Sequence, residues 1–103
     1  MPDPSPLNIA LRLLARREHS AHELHSKLLA RGCEPDAVSA TLVELARRGW
    51  QSDDRYALAV VNSGARKGHG PLRIRQQLQR AGVDASLSAE QLATDEVDWQ
   101  QEA

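Results

Sequence analysis

Residues Arg66 to Val83, RKGHGPLRIRQQLQRAGV, read as the basic end of one helix, a two-glycine turn, a short second helix and a glycine stop. Pro71 suits the first turn of that second helix, where a missing N–H costs nothing, and Gly82 suits a left-handed closing residue. Ile74 and Leu78, four apart, form the buried stripe, while Arg73, Gln76, Gln77 and Arg80 fall at i, i+3, i+4 and i+7 on another side. Arg66 and Lys67 extend this cationic surface at the preceding helix end, and Arg75 is a further candidate contact.

Shifting the chain by fifty residues aligns this stretch with ARREHSAHELHSKLLARGC, Ala15 to Cys33. Ala15, Arg16, His19, Leu28 and Gly32 recur as Ala65, Arg66, His69, Leu78 and Gly82, and Arg17 and Leu24 recur as Lys67 and Ile74. Leu42 and Leu92 fall in the same register. The matches sit at capping and core positions of one helical unit, so the chain reads as two tandem three-helix modules. Tandem modules give an elongated body that lies along another macromolecule, with little room for an enclosed catalytic pocket.

The remaining segments fit that plan. Leu7, Leu11 and Leu14, with Ala10 between them, predict a helix over Pro6 to Arg17 with Arg12, Arg16 and Arg17 on its wet side. Ser20 and Glu23 form a capping box ahead of Leu24 and Leu28, and Gly32 stops that helix. Pro35 to Arg48 carries Val38, Leu42 and Leu45 and stops at Gly49. Ser52 and Asp53 open a fourth helix with Tyr56, Val60 and Val61, ending near Lys67. Asp84 caps a sixth through Leu87 and Leu92, and Asp95 begins another with Val97 and Trp99. No period-2 alternation and no Asn-Gly or Asp-Gly turn signals a strand, so the expected fold is all-α. The expected division is a disordered lead-in at 1–5, repeats at 6–50 and 51–94, and the start of a possible third repeat at 95–103.

One local pattern supports these boundaries. In Leu28 to Gly32-Cys33, Leu45 to Gly49-Trp50 and Leu78 to Gly82-Val83, a leucine stands four residues before a glycine that is followed by an apolar residue. This is the spacing of the Schellman ending, which requires positive φ at each glycine and packs the next side chain back on the leucine.

The formal charge of −1 hides an uneven distribution. Arg55 to Val83 holds six Lys/Arg and no acid, whereas Asp84 to Ala103 holds six acids and no Lys/Arg. A cationic block of this kind suits an anionic partner, either nucleic-acid phosphates or the acidic surface of a protein, and the residues leave that choice open. With Tyr56, Trp50 and Trp99 as the only aromatics, base-stacking platforms are poorly supplied. The uncharged runs are too short to cross a membrane, and the start, MPDPSPLNIAL, lacks a cationic secretory signal, so the expected location is the cytoplasm.

No Walker loop, G-x-S-x-G or paired catalytic carboxylates occur, so the chain does not read as an enzyme, and no cofactor is expected. His22 and His25, with His19 and Glu23 nearby, lack the H-E-x-x-H spacing and read as surface histidines, with no metal site. The single Cys33 forms no internal disulfide and reads as a small buried apolar residue. Gly68-His69-Gly70 can hold a phosphate through backbone N–H groups, but helix-entry geometry alone accounts for both glycines.

The combination A-R-R-E-H-S-x-x-E-L-x-x-K-L-x-x-R-G, G-W-Q-S-D-D-R-Y-A and G-H-G-P-L-R-I-R-Q-Q-L-x-x-A-G-V resembles the RecX family of bacterial regulators of the RecA recombinase, over roughly Ala10 to Leu92. The resemblance implies tandem three-helix repeats that bind in the groove of the RecA filament on single- or double-stranded DNA. It also implies inhibition of the filament's ATP hydrolysis, strand exchange and co-protease activity. The chain itself is expected to be a monomer. Asp54, Arg55, Tyr56, Ala57, Gly68, Gly70, Pro71, Arg73, Ile74 and Leu78 match the family's motif. Tyr56, Ile74 and Leu78 are expected in the core, and Arg66, Lys67, Arg73, Arg75 and Arg80 are the candidate contacts with RecA or DNA. Family members often carry Phe near Val60, Arg near Gly64 and an aromatic at His69, so packing between the fourth and fifth helices is expected to differ here. They also usually carry a third repeat, whose first helix Asp95 to Ala103 resembles. The alternative is a stand-alone helical DNA-binding module, with Pro35 to Arg48 or Pro71 to Ala81 as recognition helix.

Overall fold

The computed structural model describes residues 5–87, and no strand occurs among them. Five helices follow in order: α1 (Pro6–Arg16), α2 (Ala21–Ala30), α3 (Pro35–Arg47), α4 (Asp53–Arg66) and α5 (Pro71–Arg80). A further helix opens at 85–87, where the Asp84 carboxylate accepts the Ser86 N–H at 2.8 Å. The remainder of that sixth helix, through Leu92, and the expected start of a third repeat at Asp95 lie outside the described residues.

The chain divides between Ser52 and Asp53 into two compact units. In the first, α1, α2 and α3 pack on one another around Ile9, Ala10, Leu13, Leu24, Leu28, Val38 and Leu45. In the second, α4 packs on α5 around Tyr56, Ala57, Val60, Val61, Ile74, Leu78, Ala81 and Val83, with Leu87 against them. Each fully buried aliphatic side chain contributes about 1.5–3 kcal/mol, and these helices of 10 to 14 residues depend on that packing because they are marginal alone.

The caps explain where the helices begin. Ser20 Oγ accepts the Glu23 N–H at 3.0 Å while Glu23 Oε1 accepts the Ser20 N–H at 3.1 Å, the reciprocal capping box. Ser5 is the N-cap of α1: its Oγ accepts the Asn8 N–H at 3.1 Å, with Pro6 in the first turn.

The glycine stops behave as the pattern requires. Gly32, Gly49 and Gly82 have φ of 86°, 71° and 75°, and the N–H of Cys33, Trp50 and Val83 reaches the carbonyl of Leu28, Leu45 and Leu78 at 3.2, 2.9 and 3.0 Å. The side chains that follow differ. Val83 is buried, but Cys33 is only half-buried, and Trp50 stays 41% exposed with the Arg48 guanidinium 4.9 Å from its ring centroid. A fourth Schellman ending closes α4, with Gly68 at φ 78° and the His69 N–H donating to the Gly64 carbonyl at 2.8 Å. Glycine stands there in the leucine position and histidine in the apolar one.

Two expectations about cores change. The buried stripe of α1 is Ile9, Ala10 and Leu13, while Leu7, Leu11 and Leu14 are half-buried at its flank. Because α1 meets both α2 and α3, it needs an apolar arc wider than one i, i+4, i+7 row. His19, expected on the surface, is 2% exposed.

Candidate functional site

The end of α4 and the start of α5 place the cationic residues. The last turn of α4 tightens, with the Lys67 N–H shared between the carbonyls of Ser63 and Gly64 at 3.1 Å each, so Arg66 and Lys67 project at the helix end. Gly68 and His69 turn the chain, Gly70 takes the N-cap position without a side-chain hydrogen bond, and Pro71 fills the first turn of α5. Ile74 and Leu78 are fully buried against α4, which fixes the rotation of α5. Arg73, Gln76, Gln77 and Arg80 are therefore all exposed on the opposite side. Arg75 is exposed too, but at about 100° per residue it lies roughly 200° around the axis from Arg73, on the other flank.

The motif residues divide by burial. Tyr56, Ile74 and Leu78 are core, as expected, with Tyr56 at 4% exposure. Asp54, Arg55, Pro71, Gly68 and Gly82 are exposed, and Gly70 is half-buried. Gly68 and Gly82 hold backbone turns and offer no side chain to a partner.

Electrostatics separate the two units. In the first, Arg17 pairs with Glu23 at 3.2 Å, and Glu44 accepts from Arg47 at 2.7 Å and also from Arg48. The two arginines hold the Glu44 carboxyl down to about 2. In the second, none of Arg66, Lys67, Arg73, Arg75 and Arg80 is paired with an acid among the described residues. An unpaired guanidinium on a rigid helix keeps its donors free for a carboxylate or a phosphate. Among the described residues no group of His, Cys, Asp and Glu has the makings of a metal site. No described helix is long and apolar enough to cross a membrane.

Residues 7–45 match the family model of the first three-helix domain of RecX, and residues 52–92 match that of the second. The chain belongs to the RecX family. Its RecX relatives include the Regulatory protein RecX of Xanthomonas axonopodis pv. citri (strain 306), 48% identical over 98% of this chain and 62% of the relative. The Regulatory protein RecX of Acidithiobacillus ferrooxidans is 47% identical over 95% of this chain and 61% of the relative. The chain thus spans about three fifths of the length of the RecX proteins it matches. Both matched domains coincide with the tandem helical units, so the fifty-residue repeat reflects two RecX domains.

Sequence reasoning missed His19 and Gln51 as structural polar groups. His19 Nδ1 lies 3.0 Å from the Arg17 carbonyl, and the Gln51 amide, 6% exposed, donates to the His19 carbonyl at 3.3 Å. The recurrence of His19 as His69 was the available signal: a residue kept in register with core and caps belongs to the framework.

Proposed function

We propose that this chain is a non-enzymatic negative modulator of RecA, which binds the RecA filament on DNA in the cytoplasm and suppresses its ATP hydrolysis, strand exchange and co-protease activity. The observation that carries the reading, beside membership of a family of regulatory proteins, is the exposed cationic surface of Arg66, Lys67, Arg73 and Arg80, none of them paired with an acid among the described residues. A nucleoprotein filament offers phosphates and acidic side chains together, and exposed arginines on a buried-face-anchored helix suit both. Tyr56, Ile74 and Leu78 hold the surface in place, and Arg75 on the other flank reaches only a partner that wraps around α5.

The test is RecA ATPase on single-stranded DNA titrated with the chain. The expected result is saturable inhibition that tracks filament binding; tight binding with ATPase unchanged would refute the inhibitory role. The stand-alone DNA-binding alternative predicts sequence preference and a steep salt slope on duplex DNA with RecA absent. Neither α3 nor α5 displays at its start the dense Arg, Asn and Gln cluster of a groove reader, although Arg73, Arg75, Gln76 and Gln77 of α5 come close to one.

A further inference from the structure

Within the first unit, the end of α1 and the body of α2 border an open cleft of about 400 Å3, lined by Leu13, Arg16, Arg17, His19 and Lys27. His19 forms its buried part, 3.0 Å from the Arg17 carbonyl through Nδ1 and 3.1 Å from Lys27 Nζ through Nε2. A carbonyl only accepts and an ammonium only donates. The imidazole is therefore neutral, with its proton on Nδ1 donated to Arg17 and with Nε2 accepting from Lys27. Burial lowers the His19 pKa most, and the charges of Arg17 and Lys27 lower it too, outweighing the hydrogen bond to the Arg17 carbonyl and the Glu23 carboxylate, which raise it, in keeping with that state.

This arrangement aims Lys27 without consuming its charge. One N–H of the ammonium goes to His19, two remain, and Lys27 has no ion pair among the described residues. Arg16 is exposed and likewise unpaired, while Arg17 is held by Glu23 at 3.2 Å. The charged side chains lining the cleft are the cations Arg16, Arg17 and Lys27; with Glu23, held by Arg17, and Glu18, next to His19 in the chain, counted against them, the surroundings of His19 keep a net positive charge.

We propose that this cleft binds a phosphate oxyanion, with Lys27 and Arg16 as direct donors, Arg17 reinforcing them from its bond with Glu23, and His19 as the residue that positions Lys27. The proposal concerns the first unit and does not depend on the RecA reading. Fifty residues on, Arg66, Lys67 and His69 repeat Arg16, Arg17 and His19, but Gln77 replaces Lys27 and Nδ1 of His69 is buried without a hydrogen-bond partner. The histidine-held ammonium is the first unit's own device. The phosphate is either a free ion or a phosphodiester of a nucleic-acid backbone.

The full chain, with its histidine side chains followed by NMR, is titrated with inorganic phosphate and separately with a short oligothymidylate. Saturable shifts of the His19 imidazole are expected, and Lys27→Met is expected to weaken binding by roughly tenfold or more, with Lys27→Arg restoring part of it. Arg16→Gln, at an exposed position outside the core, provides a second weakened variant if Lys27→Met fails to fold. His19→Gln, which lacks the imidazole probe and is read on the backbone amide shifts of α2, is expected to weaken binding less than Lys27→Met. Tighter binding of the oligonucleotide, competed by phosphate, assigns the backbone; saturation by phosphate with no gain from the oligonucleotide assigns the free ion. Either supports the site. No saturable shift with either probe, or unaltered affinity in both Lys27→Met and Arg16→Gln, would overturn it.

Discussion

Gly64 lies in the interior of α4 and faces Ile74 of α5 so closely that an added Cβ would stand 2.7 Å from both Ile74 Cδ1 and Cγ1. Its φ is not in the left-handed region, so Gly64→Ala isolates crowding from backbone strain. Two effects compete. Alanine gains about 1 kcal/mol of helix propensity over glycine, whereas overpacking a closed core costs about 1–3 kcal/mol. Ile74 is fully buried, with little freedom to rotate away, so crowding should win by about 1 kcal/mol. Ile74→Val removes Cδ1, one of the two atoms in conflict, and should shrink or reverse the cost of Gly64→Ala. Amide exchange of α4 and α5 in urea reports the second unit separately from the first. A Gly64→Ala chain that is more stable than the parent would refute the close helix approach, as would a cost that Ile74→Val leaves unchanged.

Gly82, at φ 75°, should lose about 1–2 kcal/mol on substitution by alanine, read as a lower urea midpoint with unchanged slope. An ordinary helical glycine would show the opposite sign. Ser20→Ala removes one half of the capping box and should cost about 0.5–2 kcal/mol, with faster exchange at the first turn of α2. The lowered pKa of His19 makes the first unit pH-sensitive. Because the unfolded chain takes up that proton more readily, stability is full above the unfolded-state pKa, declines as pH falls below it, and is wholly lost from this source beneath the folded-state pKa. Thermal melts between pH 7.5 and 5.5, conditions spanning roughly the ordinary histidine pKa, should show this decline in the parent and a flatter profile in His19→Asn.

The features that were legible are those written locally. Ser20 with Glu23, Pro71, and glycines four residues after leucine need only their neighbours to act, and the helix boundaries followed from them within a residue or two. The exposed arginines of α5 followed from Ile74 and Leu78 by elimination, because a short helix with one buried stripe has few other faces. Features made by tertiary meeting were not legible. The buried row of α1 depends on two partner helices, and the close approach at Gly64 depends on where α5 lies. The buried His19 and the cleft beside it arise only when Lys27 of α2 comes within 3.1 Å of a residue eight positions earlier, and polarity alone assigns both to the surface.

The central claim is that the cationic surface beginning at Arg66 carries the interaction with the RecA filament. The most direct measurement compares inhibition of RecA ATPase by the parent chain and by Arg73→Glu with Arg80→Glu, with circular dichroism confirming equal helix content. Both side chains are exposed and outside the core, so the fold should persist. The expected result is a rise of at least about tenfold in the concentration for half-inhibition, equivalent to about 1.4 kcal/mol of lost binding. Equal inhibition by the two chains would contradict the account and remove this surface from the mechanism.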